Sequence, residues 1–270
     1  MRDASPSTIF LKDYLPPAFL VDSVDLWFDL REQGTRVRSR LSMRRNPAVA
    51  GSPDLWLDGE QLTPVSFRLD GKKLPDSALD IEESGLRIQA PPAQFVLETE
   101  VEIAPENNTA LEGLYRSGDM FCTQCEAEGF RRITWYPDRP DVMARFTTTI
   151  EADSARFPIL LSNGNPSGQR DLGNGRHRIT WEDPFPKPSY LFALVAGDLA
   201  HYMVKDDSYE GVDAGIPGGL YVGALLARPV LVVPDRQEQV VVLNQRAEAV
   251  AVNAGEVGDV VAVGLEPADH

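Results

Sequence analysis

A two-residue alternation of apolar and polar side chains runs through the early part of this 270-residue chain. Residues 35–44 place Val37, Leu41 and Met43 on one face and four arginines on the other. Because successive side chains of a β-strand point to opposite faces, this pattern predicts a half-buried strand. The later half of residues 19–30 alternates in the same way, and a Gly-containing turn follows it. These two segments are predicted to form a β-hairpin.

Further short strand-like segments follow, separated by Gly and Pro residues that favour turns. They are residues 54–57, 65–69, 86–89, 94–103, 144–151, 158–162, 176–181 and 190–196. Because no long segment there has the 3.6-residue period of an amphipathic helix, we predict an all-β fold of antiparallel sheets. One long polar insertion, residues 107–141, interrupts the strands. Long insertions on a rigid scaffold often carry function, so functional side chains are expected in this insertion.

The composition changes sharply near residue 202. All four Trp, both Cys and all eleven Phe precede that position, whereas residues 203–270 are rich in Val and acidic residues. Large aromatic side chains supply much of the buried area of a core. We therefore predict a β domain at residues 1–202 and a divergent Val-rich acidic tail at residues 203–270, whose fold is left open. Candidate strands in the tail are residues 221–225, 229–233, 240–243 and 257–263.

The net charge of the chain restricts the kinds of molecule that it can bind. The chain has 26 Lys and Arg against 41 Asp and Glu, a formal net charge of −15, which argues against nucleic acid or an anionic membrane surface. The longest nearly apolar run, residues 218–233, contains Arg228 and Pro229 and is too short for a membrane span. With two cysteines and no pattern of a signal peptide, we expect a cytoplasmic protein.

Cys122 and Cys125 have the Cys-x-x-Cys spacing of some metal and redox sites. A redox pair needs a thioredoxin-like βαβ context, and a structural zinc needs two further ligands at a matching spacing. The sequence offers only His177, His201 and His270 as histidines. We therefore favour two buried thiols packed under a loop and predict no metal site in this chain.

Gln124, Glu126 and Glu128 place an amide and two carboxylates in the same insertion. Acidic loop residues are most often solvated, but a carboxylate held in a closed pocket would bind a cation such as an ammonium group. Both alternatives stay open on these residues alone. The chain has no nucleophile elbow, phosphate-binding loop, dinucleotide fingerprint or pair of histidines spaced as on a zinc helix, so it contains no self-sufficient catalytic constellation.

Five ordered blocks of sequence carry a family resemblance. They are Asn-Thr-Ala-Leu-Glu-Gly-Leu-Tyr from Asn108, Phe-Cys-Thr-Gln-Cys-Glu-Ala-Glu-Gly-Phe-Arg from Phe121, Asp-Arg-Pro-Asp-Val from Asp138, Leu-Ser-Asn-Gly-Asn from Leu161, and Trp-Glu-Asp-Pro-Phe-Pro-Lys-Pro-Ser-Tyr-Leu-Phe-Ala-Leu-Val-Ala-Gly from Trp181. In this order they closely resemble the N-terminal domain of bacterial aminopeptidase N, the zinc-dependent alanyl aminopeptidases. The match runs from about residue 9 to about residue 202.

The resemblance implies a saddle-like antiparallel β-sandwich that packs over a thermolysin-like catalytic domain and closes one side of its cleft. In the family, the Thr-Gln-Cys-Glu-Ala-Glu loop reaches into this cleft, and its Gln and first Glu bind the free α-amino group of the peptide. Those positions are Gln124 and Glu126 here. A carboxylate that pairs with an ammonium fits this role. The implied partner is thus a peptide N-terminus, bound together with a catalytic domain.

The family's Gly-x-Met-Glu-Asn motif and His-Glu-x-x-His zinc helix do not occur in the 270 residues. A zinc-activated water needs metal ligands and a general base. We therefore expect zinc in the full-length family but no cofactor in this chain, and we predict that the chain alone is inactive. The alternative function is a non-catalytic interaction module. Without its catalytic domain, the β domain would expose an apolar face, so we expect weak solubility or self-association.

The family pattern stops near residue 202, together with Trp, Phe and Cys. A genuine divergent extension is one explanation, and a translated wrong reading frame or a misjoined gene end is the one we favour as a hypothesis. If the hypothesis is right, another reading frame past codon 202 encodes both missing motifs, and the nucleotide sequence decides between the two explanations.

Overall fold

The structure, a computed structural model, describes residues 14–199 and the backbone of three further short strands. The strands of residues 14–199 are β1 (Phe19–Leu30), β2 (Thr35–Arg45), β3 (Leu55–Asp58), β4 (Thr63–Leu69), β5 (Lys72–Lys73), β6 (Leu79–Glu82), β7 (Gly85–Ile88), β8 (Gln94–Ile103), β9 (Gly113–Ser117), β10 (Met120–Gln124), β11 (Ala144–Asp153), β12 (Ile159–Ser162), β13 (Asn165–Gly173), β14 (Arg176–Lys187) and β15 (Leu194–Gly197). The helices of this region are short 3-10 turns at Asp76–Ala78, Pro105–Asn107, Gly129–Arg132 and Ser189–Leu191.

The sheets confirm the predicted all-β fold. An eight-stranded sheet has the order β13-β14-β11-β1-β2-β8-β4-β5, a four-stranded sheet has the order β12-β15-β10-β9, and β3-β7-β6 form a third sheet. Neighbours pair antiparallel throughout these three sheets except for β1 and β11, which are parallel. Side chains from all three sheets meet in one hydrophobic core.

The predicted hairpin is formed by β1 and β2, which pair from Phe19↔Arg45 to Leu30↔Thr35. Val37, Leu41 and Met43 are buried, as the alternation predicted. A register shift in β1 between Val21 and Ser23 explains why only its later half alternates in the expected phase. Such a bulge inserts one residue and moves the following side chains to the opposite face.

The arginines of β2 lie on the outer face of the large sheet, between acidic residues of β1 and β8. Arg36 pairs with Glu102 at 2.5 Å, Arg38 pairs with Glu100 at 3.3 Å, and the guanidinium of Arg38 lies 3.6 Å from the ring centroid of Trp27. Exposed ion pairs of this kind contribute little to stability, roughly 0–1 kcal/mol each. Their cross-strand arrangement leaves this face polar and directs the apolar face of the sheet to the core.

Two predicted strands differ from the observed ones near the end of the domain. The segment predicted at residues 176–181 continues to Lys187 despite Pro184 and Pro186. Proline is tolerated where its nitrogen has no partner strand, and the pairing of β14 with β13 stops at Glu182. The segment predicted at residues 190–196 instead starts with the 3-10 turn Ser189–Leu191 and becomes a strand only at Leu194.

The long insertion is more ordered than its polar composition indicated. It contains the hairpin of β9 and β10, joined by Gly118 and Asp119, and the 3-10 turn Gly129–Arg132. In β9 and β10 the exposed and buried side chains do not alternate cleanly. These two strands were not predicted because their sequences lack the two-residue period that identified the other strands. This hairpin carries the candidate site.

The described part of the tail is a small antiparallel sheet of β16 (Val230–Val232), β17 (Gln239–Leu243) and β18 (Ala249–Asn253). Strands β16 and β17 fall on the candidates at residues 229–233 and 240–243, whereas β18 was not predicted. The candidates at residues 221–225 and 257–263 lie outside the described residues. The domain boundary at residue 202 also lies outside them and stays a prediction.

Candidate functional site

The loop of residues 124–128, which carries the candidate side chains, begins where β10 ends. Strand β10 is held on both sides, because it pairs with β9 up to Gln124↔Gly113 and with β15 at Cys122↔Val195. Beyond the strand, the side chain of Cys125 is buried, whereas Gln124, Glu126 and Glu128 are exposed. The rigid sheet therefore presents the amide and both carboxylates to solvent on one short loop.

Backbone contacts close this loop tightly. The Gly129 N–H donates to the Cys125 carbonyl at 2.8 Å, and the Gln124 side-chain amide donates to the Glu126 carbonyl at 3.2 Å. The peptide bond between Glu126 and Ala127 is cis. A Cβ on Gly129 would lie 2.4 Å from the Gln124 carbonyl oxygen, so only glycine fits at this close approach.

The loop continues into a chain of polar contacts that ends in the domain interior. The Arg131 guanidinium contacts the exposed carboxylate of Glu128 at 3.2 Å and the buried carboxylate of Asp138 at 3.2 Å. The Ser189 hydroxyl donates to the other oxygen of Asp138 at 2.6 Å. Burial raises the pKa of the Asp138 carboxyl above its ordinary value, although the hydrogen bonds from Ser189 and Arg131 oppose the shift.

The two predicted site residues are brought together by this geometry, but they differ in their contacts. Gln124 bonds the backbone of Glu126. Within residues 14–199, no side chain or backbone group pairs with the carboxylate of Glu126, whereas Glu128 is occupied by Arg131. Among residues 14–199, Glu126 is therefore the carboxylate of this loop that has no ion-pair partner.

Cys122, in β10, and Cys125, within the loop, are free, buried thiols. Burial raises the pKa of Cys122 to about 11 and that of Cys125 well above its usual value. Because the thiolate is the form that binds metals and reacts in redox exchange, the raised pKa values disfavour both reactions. The interpretation of the pair as buried thiols under a loop is confirmed.

The described residues do not fit a zinc site. They contain no cluster of three or more His, Cys, Asp or Glu side chains able to hold a metal ion. His177, the one histidine among residues 14–199, is buried with its Nε2 at 2.8 Å from the Phe157 carbonyl. No helix in the described part of the chain has both the length and the apolar character that a membrane span requires.

Arg131, Asp138 and Ser189 were not identified as site residues from the sequence. Asp138 belongs to a block that carries the resemblance, but nothing in that block indicates a contact with Ser189, which lies 51 residues further along the chain. The local signal was limited to a basic residue within the 3-10 turn Gly129–Arg132 and an acidic residue seven positions after it.

The β fold and the exposed loop define the class to which this chain belongs. The sequence profile of the Peptidase M1 N-terminal domain matches residues 37–191, and the chain is a member of that family. Among individual proteins, it is 52% identical over 199 residues to aminopeptidase N of Caulobacter vibrioides and 51% identical over 194 residues to aminopeptidase N of Escherichia coli K12. The resemblance seen in the sequence is confirmed.

These alignments cover 74% and 72% of this chain but 23% and 22% of the two relatives, so the chain spans about a quarter of their length. A solved structure of Legionella pneumophila aminopeptidase A with aspartic acid matches with a TM-score of 0.67 and 38% identity, covering 70% of this chain and 22% of that one. An M1 zinc metallopeptidase of Deinococcus radiodurans, at 16% identity, has a TM-score of 0.59 over 68% of this chain and 43% of its own, which shows the shared fold. Zinc is thus a feature of the family.

Proposed function

We propose that this domain binds the free α-amino group of a peptide for the catalytic domain of a zinc aminopeptidase. The observation that carries the proposal is the Glu126 carboxylate, which is exposed and unpaired among residues 14–199 although Glu128, two positions away, is paired with Arg131. A carboxylate without an ion-pair partner is suited to an ammonium ligand. Gln124 supports the same site, because its side-chain amide donates to the Glu126 backbone carbonyl and so ties it to the residue that carries the carboxylate.

The proposed division of labour assigns substrate anchoring to this domain and metal chemistry to sequence that follows it in the relatives. When the ammonium group is fixed, the first peptide bond lies at a set distance from the reacting groups. Such positioning of the substrate lowers the activation barrier of the reaction. The residues of this domain hold and orient the amine. They provide neither metal ligands nor the general base.

The test is a domain swap in which residues 1–202 replace the corresponding part of Caulobacter aminopeptidase N. Glu126→Gln is expected to raise KM for alanine p-nitroanilide about tenfold with little change in kcat, because a hydrogen bond to a charged group contributes roughly 1.5–3 kcal/mol. Steady-state kinetics with zinc measure both constants.

The control variant for this experiment is Glu102→Gln. Glu102 is a carboxylate on the outer face of the sheet, paired with Arg36, and its replacement is expected to change KM less than twofold. If Glu126→Gln left KM as low as Glu102→Gln does, Glu126 would not bind the amine.

A second element of the proposal is an apolar docking face at one end of the large sheet. Four large apolar side chains are exposed there: Tyr14, Leu15, Met143 and Phe185. Two hydrogen bonds connect the segments that carry them: the Tyr14 hydroxyl donates to Asp141, two residues before Met143, and the Arg145 side chain donates to the Pro184 carbonyl, next to Phe185. Because the alignments cover less than a quarter of the two relatives, we propose that the catalytic part of such a protein packs on this face.

Without that covering, the docking face favours contact between copies of this chain. We expect the 270-residue chain to form concentration-dependent oligomers, and Met143→Ser with Phe185→Ser to shift it to monomer, as measured by light scattering after size-exclusion chromatography. Ile81→Ser is the control, because Ile81 is exposed on a different sheet. Equal oligomer content in all three proteins would contradict the assignment.

We also propose a cytoplasmic location. It is supported by the two free, buried cysteines, which are typical of proteins from reducing compartments. Cell fractionation with periplasmic and cytoplasmic marker enzymes tests it, and recovery with the periplasmic marker would contradict it.

A further inference from the structure

We infer that Asp138 is a positioning residue: through Arg131 it fixes the 124–128 loop, and so the place of the Glu126 carboxylate. This inference rests on the proposed function for the use that is made of Glu126. The side chain of Asp138 is only 1% exposed, whereas Glu128 at the other end of the contact chain is 55% exposed. The chain of contacts therefore links the interior of the domain to the surface of the loop.

The carboxylate of Asp138 is held from two directions. One oxygen accepts the Ser189 hydroxyl at 2.6 Å, and the other accepts the Arg131 backbone N–H at 3.1 Å and its Nε at 3.2 Å. The backbone N–H of Asp138 itself donates to Asp58 at 2.9 Å, at the end of β3. With three donors on the carboxylate and a fourth contact on its backbone, Asp138 has one defined position.

Arg131 transmits this position to the loop. A second guanidinium nitrogen donates to the Asp138 carbonyl at 3.3 Å, and a third contacts Glu128 at 3.2 Å. The Arg131 carbonyl accepts from the Glu60 backbone N–H at 3.0 Å. A planar guanidinium with several fixed partners is a rigid connector, since its donors have a fixed geometry. Glu128 is thereby tied, and movement of the loop at this residue would break its ion pair with Arg131.

The contacts of Arg131 with Asp138 and Glu128 also determine the charge that the loop presents to a ligand. Arg131 is shared by Asp138 and Glu128, so its positive charge is compensated within the domain. Glu126 is left as the loop carboxylate without a partner in residues 14–199. If Asp138 lost its charge, Arg131 would be free to turn toward the loop and to compete with an ammonium for Glu126. Asp138 therefore acts on the amine through both geometry and charge.

The test uses the full 270-residue chain with amide hydrogen exchange followed residue by residue. Asp138→Asn is expected to speed the exchange of the Gly129 amide, which donates to Cys125, about tenfold, while amides of β2 and β8 keep their relative order of protection. The matched control is Asp183→Asn, because Asp183 is also a buried carboxylate in an ion pair, with Lys187 at 2.9 Å, and does not contact the loop. In this control the Gly129 amide is expected to exchange within twofold of the unmodified chain, after correction for global stability.

If the Asp138→Asn variant does not fold, Ser189→Ala takes its place. This substitution removes one hydrogen-bond donor to the Asp138 carboxylate and keeps the charges of Asp138 and Arg131. It is expected to speed exchange at Gly129 about threefold. Unchanged exchange at Gly129, or the same acceleration throughout the core sheets as in the loop, would show that Asp138 contributes only to general stability.

A double-mutant cycle in the swapped enzyme separates this inference from the proposed function. Asp138→Asn is expected to raise KM about fivefold when Glu126 is present and to leave KM unchanged beside Glu126→Gln, because it acts through that carboxylate. An equal rise in both backgrounds would overturn the positioning role. If Glu126→Gln alone had no effect on KM while the loop exchange still responded to Asp138, the amine-binding proposal would fail and the link from Asp138 to the loop would stand.

Discussion

Phe130→Ala is expected to lower the free energy of unfolding by about 3–5 kcal/mol, which is a large fraction of the stability of a domain of this size. The Phe130 ring is fully buried in an aromatic cluster. Its centroid lies 5.0 Å from that of Tyr136, 5.3 Å from that of Phe192 and 5.9 Å from that of Phe146. Alanine would remove these contacts and leave a cavity that the rigid sheets cannot fill by collapse.

Urea denaturation followed by tryptophan fluorescence measures the loss. Phe185→Ala is the matched control, because Phe185 is 67% exposed and its replacement is expected to change stability by less than about 0.5 kcal/mol. A loss below 1.5 kcal/mol for Phe130→Ala would mean that the 3-10 turn Gly129–Arg132 is not anchored by this ring.

The strands with one buried face were predictable from the sequence. Residues 94–103 were expected as a strand and are observed with the same bounds, Gln94–Ile103. Their side chains alternate between the core and the charged outer face, and a one-residue slip would bury the charges. Because one face of the strand is buried, apolar and polar residues must alternate along its sequence. This two-residue period can be recognised without a structure.

The remaining parts of the fold depend on contacts that leave no local period. The parallel pairing of β1 with β11 joins residues far apart, such as Ser23 and Arg145. The short strands β5 and β6 and the edge strand β13 are mostly exposed, so burial imposes no alternation on them. Sequence reasoning detects a strand best when one of its faces is in the core.

The candidate site was likewise only partly predictable from the sequence. Gln124 and Glu126 were identified through a family resemblance, whereas the residues alone allowed either a solvated loop or a cation site. The structure adds that Glu126 is unpaired among the described residues while Glu128 is paired with Arg131. Which of the two glutamates has an ion-pair partner depends on the three-dimensional path of the chain. The spacing of residues in the sequence does not predict it.

Gly129→Ala is expected to lower kcat/KM for alanine p-nitroanilide about a hundredfold in the swapped enzyme, because displacing a substrate-positioning group by about 1 Å can cost this much. An added Cβ would lie 2.4 Å from the Gln124 carbonyl oxygen and 2.9 Å from the Gly113 nitrogen. Both are backbone atoms of the paired strands β9 and β10, so they cannot rotate away as a side chain would. The loop must move instead, and it carries Glu126 with it.

The same substitution is expected to destabilise the domain by about 2–3 kcal/mol, the usual cost of overpacking. Gly168→Ala is the control: a Cβ there meets nothing within 4 Å, so both kcat/KM and the unfolding midpoint are expected to stay close to those of the unmodified protein. Full activity in Gly129→Ala together with normal stability would show that the loop accommodates a Cβ without moving. The close backbone approach at Gly129 would then not be what fixes the place of Glu126, on which amine binding depends.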